Sequence, residues 1–200
     1  MFEYDATWAA KVSTEAQQIA RGLQRRDIAL LHALVGQYQY RLVRYFTYLL
    51  GRRDPVDDLV QETWLRVLER GHSYDGQSRF EPWLFTVARN LALDYMRKRR
   101  VLSLDSNDSL EGDLELPTPV SPAPSPFEQA ARTEDAHQLA HSLQMLEPIY
   151  REALVLRFQE DLSLQEMADV VGASVSTVSS RIYRGLAALR AQMEGRSNAN

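Results

Sequence analysis

Three carboxylates, Asp57, Asp58 and Glu62, stand close together in the stretch DPVDDLVQETWLRVLE. On a helix, Asp58 and Glu62 lie one turn apart. Carboxylates so placed could bind a divalent metal for phosphodiester chemistry. Neither a second carboxylate cluster nor a lysine complements them, however. The same side of the helix carries Gln61 and the apolar Leu65. That mixture suits the docking face of a partner protein, and it also fits a plain solvated face. The histidines, His32, His72, His137 and His141, form no HExxH or similar ligand pattern, and only His137 and His141 share a helix face. Cysteine is absent, which excludes disulfides and thiolate metal sites and fits a cytoplasmic protein. No cofactor is expected.

A second set of residues suits nucleic acid. Tyr74, Phe80 and Trp83 lie near Arg79, Arg89 and the basic run Arg97, Lys98, Arg99, Arg100. Single-stranded nucleic acid favours such interleaving, because bases stack on aromatic faces while cations follow the phosphates. Any one aromatic is more often core than contact surface, and Trp83 is expected to be at least half core. A third set lies in SLQEMADVVGASVSTVSSRIYRGLAAL, residues 163–189. Ser163 and Glu166 make a capping box, Gly172 supplies a permissive turn, and Ser174 can cap a second helix. Val175, Val178, Ile182 and Leu186 form the inner stripe of that helix, leaving Ser176, Thr177, Ser179, Ser180, Arg181, Tyr183 and Arg184 outside. Hydroxyls and arginines on such a face suit the major groove. An ordinary helical hairpin with a solvated face is the bland alternative. Against it, no acidic residue occurs between Ser174 and Arg190, whereas a solvated face normally mixes signs.

The elements that must position these groups are all helical. Val56, Leu59, Val60, Trp64, Val67 and Leu68 recur at helical spacing behind Asp54 and Pro55, which can cap and open a helix that Gly71 ends. A further helix is expected to open near Pro82 and run to about Arg100, with Trp83, Leu84, Val87, Ala88, Leu91 and Tyr95 inside. In the hairpin, Leu164, Met167, Ala168 and Val171 face inward. No stretch alternates with period two for long enough to suggest a sheet. Residues 1–26 read as a helical lead-in, 27–100 as one helical domain, 128–195 as a second, and 196–200 as a tail. Between the domains, residues 101–127 hold five acids, no Lys or Arg, and the run PTPVSPAPSP. Such a composition cannot build a core and reads as an extended acidic linker.

The 200 residues, 44% hydrophobic and 25% charged, describe a globular protein of one ordinary or two small domains. No apolar run approaches a membrane span, and the start lacks the order of a secretory signal. The net charge of −4 argues against autonomous DNA binding, which normally relies on a basic surface.

These motifs together resemble the sigma-70 family of bacterial transcription initiation factors. DPVDDLVQETWLRVLE is similar to the D-x-x-D-L-x-Q-E-x-aromatic motif of region 2. FEPWLFTVARNLALDYMRKRR resembles the part that melts and reads the −10 element, and LSLQEMADVVGASVSTVSSRIYRGLAALR resembles region 4, which reads the −35 element. Their order and the acidic linker match the minimal extracytoplasmic-function (ECF) subgroup, which lacks region 3. The resemblance implies a non-enzymatic promoter-specificity subunit and assigns roles. Asp57, Asp58, Gln61, Glu62 and Leu65 would meet the β′ clamp of core RNA polymerase. Tyr74, Asp75, Gln77, Ser78, Arg79 and Phe80, with Trp83, Thr86, Arg89 and Asn90, would capture an unstacked −10 base. Arg97, Lys98, Arg99 and Arg100 would hold upstream phosphates. Ser176, Thr177, Ser179, Ser180, Arg181, Tyr183 and Arg184 would meet the −35 duplex, and region 4 would also bind the β flap. The linker would thread the polymerase channel that later carries RNA. An anti-sigma protein is an expected partner, and membrane insertion is not. The chain departs from the family at Ser176, often glycine, and at Ser179, often a larger basic residue. The −35 sequence preference is therefore not carried over, although the role is. The alternatives from other classes are a freestanding helix-turn-helix regulator and a metal-dependent nuclease using Asp57, Asp58 and Glu62.

Overall fold

The computed structural model of the chain describes the backbone of residues 6–103 and 138–197, and the side chains of residues 14–100 and 138–194. Among these residues every regular element is helical. In chain order they are α1 (Ala6–Gln24), α2 (Ile28–Leu50), α3 (Val56–Arg70), a 3₁₀ turn (Gly71–Ser73) and α4 (Phe80–Ser103). The second half holds α5 (residues 138–144), α6 (Pro148–Leu154) continued by a π-helical turn (Val155–Gln159), α7 (Leu164–Val171) and α8 (Val175–Ser197). Residues 101–103 extend α4 rather than begin a linker. The rest of the acidic segment lies outside the described residues, as does His137 with the histidine pair it was read into.

α2 is the central post. The Asp27 carboxylate caps it by accepting from the Ala29 and Leu30 N–H groups at 2.9 and 3.2 Å, satisfying donors that the first turn leaves open. Leu34, Tyr38, Leu42, Tyr45, Phe46 and Leu49 then recur along its buried side. Gly51 ends it with φ +67°, a conformation that a side chain resists. A Cβ there would also meet the Gln144 side-chain amide, the end of a flexible side chain that would have to shift.

α3 begins one residue later than the sequence suggested. Pro55 takes the cap position and makes no side-chain cap bond, and Asp54 turns instead to Arg52 at 3.1 Å. Asp57 and Asp58 occupy the first turn, where the helix dipole favours negative charge. Val56, Leu59, Val60, Trp64 and Val67 are buried as expected, but Leu68 is 41% exposed. α4 begins at Phe80, with Pro82 tolerated in its first turn. Its inner face is wider than expected. Leu84, Phe85, Ala88 and Ala92 are the buried set, while Trp83, Leu91 and Tyr95 are only partly covered. The reason is that α4 is packed by α3 and α2 on one side and by α7 on another. Phe85 is thereby enclosed, edge-on to Tyr45 with ring centroids 5.2 Å apart.

In the second half the capping box is present. Ser163 Oγ accepts from the Glu166 N–H at 3.2 Å, and the Glu166 carboxylate accepts from the Ser163 N–H at 2.8 Å. Gly172 turns the chain at φ +65°, and the Ser174 hydroxyl accepts from the Thr177 N–H at the head of α8. Met167, Ala168, Val170, Val178 and Ile182 form the hairpin core. Leu164, Val175 and Leu186, read from spacing as inward-facing, each remain more than a third exposed. They sit at helix starts or, for Leu186, on an open groove beside Phe158, where no further element among the described residues covers them. Buried residues of both halves form one continuous core. Replacing Ser163 by alanine removes half of the capping box and is expected to lower stability by about 1 kcal/mol, read as a lower urea midpoint. An unchanged midpoint would show that the box does not hold α7.

Candidate nucleic-acid interface

Three surfaces carry the residues singled out from the sequence. On α3, Asp57, Asp58 and Gln61 are exposed and Leu65 is 46% exposed. Glu62 pairs with Arg66 at 2.8 Å one turn on, and this contact raises the Arg66 pKa. Among the described residues no three acidic or histidine groups converge to hold a metal ion. The carboxylates therefore line an open helix face that includes apolar Leu65 and Leu68.

The loop between α3 and α4 is built from the inside by aromatics. Tyr74 is 1% exposed and its hydroxyl donates to the Ser78 carbonyl at 2.5 Å. Burial, reinforced by the charges of Glu81, Asp75 and Glu15, raises its phenol pKa. Phe80 is 2% exposed and meets Tyr38 and Tyr74 edge-on, each with centroids 5.4 Å apart. Neither ring offers a stacking platform, which corrects the reading of both as base contacts: they hold the loop from below. Trp83 sits above them, partly exposed and tilted 5.6 Å from each, as its half-core expectation required. Asp75, Gln77 and Ser78 face outward, with the Gln77 N–H donating to the Asp75 carboxylate at 2.9 Å. That local bond sets the turn, and Gly76 completes it at φ +69° against α1.

Along α4, Thr86 donates back to the Pro82 carbonyl at 2.8 Å and Asn90 is exposed. Arg97 pairs with Asp94 at 3.1 Å in solvent, and Lys98, Arg99 and Arg100 follow at the basic end. Arg79 and Arg89 are already engaged. Arg89 reaches Glu152 at 2.8 Å. Arg79 reaches Glu81 at 3.2 Å, Glu166 at 3.6 Å and the Asp161 carbonyl at 3.4 Å. Burial alone would lower the Arg79 pKa, but these carboxylates outweigh it and raise it. Conversely, burial pushes the Glu81 carboxyl up, while its own backbone N–H, Arg79 and Arg41 outweigh that and hold it below its ordinary value.

Sequence reasoning missed the residues that complete this junction. Arg41 meets Glu160 at 2.8 Å and Glu81 at 3.5 Å, and Arg44 meets Glu160 at 3.0 Å. Tyr45 donates to Glu152 at 3.2 Å. Arg151, 8% exposed, donates to the Tyr48 and Leu49 carbonyls at the end of α2. The one available signal was a pair of arginines three residues apart on a mainly apolar helix.

The third surface is α8. Ser176, Thr177, Ser180 and Arg184 are exposed, Tyr183 is 73% exposed, and Ser179 and Arg181 are half-buried. Ser174 links the Ser176 and Thr177 hydroxyls at 3.0 and 2.8 Å, which orders the head of the helix. Ser176, Thr177, Ser180, Arg181 and Arg184 line one shallow concavity with Ile149 and Tyr150. Its hydroxyl and guanidinium donors suit the backbone and base edges of a duplex.

Comparison with known proteins agrees with this layout. The family model for sigma-70 region 2 matches residues 34–101, and that for sigma-70, region 4, matches residues 136–189. The ECF RNA polymerase sigma factor SigM of Bacillus subtilis is 31% identical over 154 residues, 77% of this chain and 89% of the relative. The RNA polymerase sigma factor CarQ of Myxococcus xanthus is 36% identical over 134 residues, 67% of this chain and 72% of the relative. The solved structure of CnrH in complex with the cytosolic domain of CnrY superposes with a TM-score of 0.65 at 25% identity, covering 90% of this chain and 97% of that one. With both regions matched in order, each on the helices whose outer faces carry the acidic, aromatic-basic and hydroxyl-arginine sets, the chain belongs to the sigma-70 family of RNA polymerase sigma factors, in its ECF group.

Proposed function

We propose that this sigma factor binds core RNA polymerase through the exposed face of α3 and directs it to promoters. In this reading the Asp75–Ser78 loop, Trp83 and the outer side of α4 meet the −10 element, and the α8 face meets the −35 element. The observation that carries it is the pairing of two open faces of opposite kind on one chain. The α3 face is acidic with an apolar centre at Leu65, which fits a protein partner and repels phosphate. The α8 face has hydroxyls and arginines without a carboxylate from Ser174 to Arg190, which fits DNA. An overall charge of −4 accords with a factor whose polymerase partner supplies most of the DNA contact. Among the described residues no helix is long and apolar enough to cross a membrane. The similarity to CnrH, solved in complex with the cytosolic domain of CnrY, supports a further protein partner, in line with the anti-sigma protein that the family resemblance implies.

Native-gel binding to purified core polymerase tests the first half of this reading. The wild type is expected to form a shifted complex, and Asp58→Ala/Glu62→Ala to weaken it about ten-fold or more, on the scale of interface contacts worth over 1 kcal/mol. No complex, together with tight duplex binding by the chain alone, would favour a freestanding regulator. For the second half, Tyr183→Ala/Arg184→Ala in the assembled holoenzyme is expected to cost about 1–3 kcal/mol in binding to a promoter selected from genomic fragments. Unaltered promoter affinity, measured at equal holoenzyme occupancy, would remove α8 from the DNA interface.

A further inference from the structure

The junction between the two halves contains more positive charge than region 2 itself can balance. Arg41 and Arg44 on α2, Arg79 before α4 and Arg89 on α4 all point toward the second half. The carboxylates they meet there are Glu160, Glu152 and Glu166. On their own side Arg41 and Arg79 share Glu81. When the second half is lifted away, the four guanidinium groups lose Glu160, Glu152 and Glu166, and only Arg41 and Arg79 keep a carboxylate, Glu81. They do not lie on bare polar ground. Arg41 stacks over the Tyr38 and Phe85 rings at 5.1 and 5.6 Å, and Arg44 over Tyr40 at 5.8 Å. Aromatic support of this kind fixes the planar fork that binds oxyanions in pairs. Arg44 moreover has donor capacity in reserve: its Nε is buried without a hydrogen-bond partner.

We infer that Arg41, Arg44, Arg79 and Arg89 form a phosphate-binding site for promoter DNA, which Glu152 and Glu160 of the second half occupy in the closed chain. The inference rests on the function proposed above and adds Arg41 and Arg44 to the DNA-contacting residues. The carboxylates act as stand-ins for phosphate. Each offers two anionic oxygens to guanidinium groups, as a phosphate does, and Glu160 is bound by two arginines at once. DNA is favoured over an acidic peptide because the site includes Arg79 and Arg89, which the family resemblance assigns to the −10 element. Arg41 and Arg79 meet the same Glu81 carboxylate oxygen, at 3.5 and 3.2 Å, so their guanidinium groups are neighbours. The two states are mutually exclusive, since one guanidinium surface cannot hold both sets of anions. Occupation by its own carboxylates thus keeps the chain's affinity for stray DNA low until the halves part.

Two measurements test this. The first uses holoenzyme and a promoter selected by it, with the binding constant followed against salt concentration. Each phosphate contact contributes a slope of about 0.9, so Arg41→Gln/Arg44→Gln is expected to reduce the slope by about 2 and to weaken binding at low salt. An unchanged slope would overturn the inference and leave the arginines as partners of their own chain's carboxylates only. The second uses the chain without polymerase and a short, labelled, mixed-sequence duplex. Glu152→Gln/Glu160→Gln, verified as folded by circular dichroism, is expected to bind the duplex about ten-fold more tightly than wild type at low salt. Adding Arg41→Gln/Arg44→Gln to that variant should abolish the gain. No gain in the folded carboxamide variant would overturn the masking. If the wild type forms no polymerase complex, the proposed function fails, while the duplex measurement still decides whether the arginines bind phosphate.

Discussion

A carboxylate taken out of water loses several kcal/mol of hydration unless cations and donors replace it. This chain buries two at the junction of its halves, Glu152 at 5% and Glu160 at 1% exposure. Their partners lie mainly in the other half: Arg89 and Tyr45 for Glu152, Arg41 and Arg44 for Glu160. The second half can hold this position only while those partners are in place. The requirement is reciprocal at Arg151, which has no carboxylate within pairing distance among the described contacts. It is served instead by the Tyr48, Leu49, Gln144 and Leu146 carbonyls and the Gln144 side chain. Burial lowers its pKa, yet the carbonyls ending α2 give the guanidinium a site at the negative end of a helix dipole. Removing one member of such a set strands the others, which is why buried ionic contacts define an arrangement more sharply than they stabilise it.

The same constraint divides the functional surfaces into open and engaged. The α3 face proposed for a protein partner and the α8 face proposed for a duplex supply none of the ion pairs of the junction. The region around Arg79 and Arg89 does take part. Closed in this way, the chain leaves exposed the α3 residues proposed to meet polymerase, while Arg79 and Arg89, expected at the −10 element, are engaged. Opening the junction exposes charged groups that water or another anion can solvate, so the cost of opening is smaller than the buried contacts suggest when such an anion is present. The apolar groove formed by Leu139, Leu143, Leu154, Phe158, Leu186 and Leu189 is a further open surface on the second half, in keeping with a protein contact such as the one expected for region 4.

Around the loop between α3 and α4, aromatic residues were easy to find in the sequence and hard to interpret. Tyr74, Phe80 and Trp83 occur within ten residues, among arginines, as a stacking surface would. Their fates differ because α1 lies against the loop. Ala16, Ile19, Ala20 and Leu23 form its buried stripe. The loop approaches so closely that a Cβ on Gly76 would stand 3.0 Å from Ala16 and Ala20. With α1 below, Tyr74 and Phe80 are sealed in, and Trp83, one turn further along α4, keeps an outer face.

The sequence by itself determined what depends on neighbours in the chain. Helical periodicity, the Ser163–Glu166 box, the left-handed turn at Gly172 and the composition of the α3 and α8 faces are local properties. Side chains three or four residues apart meet on a helix whatever lies beyond it. The ordered set of motifs identified the family for the same reason. Tertiary structure alone decided which apolar residues are core where two elements compete to cover one helix, as at Phe85 and Leu68. It decided that Tyr74 and Phe80 are internal. It also paired Arg41, Arg44 and Arg89 with carboxylates more than sixty residues away in the chain. No local pattern specifies such a pair, because a buried charge selects its partner by the geometry of packed helices and by the cost of being left without one.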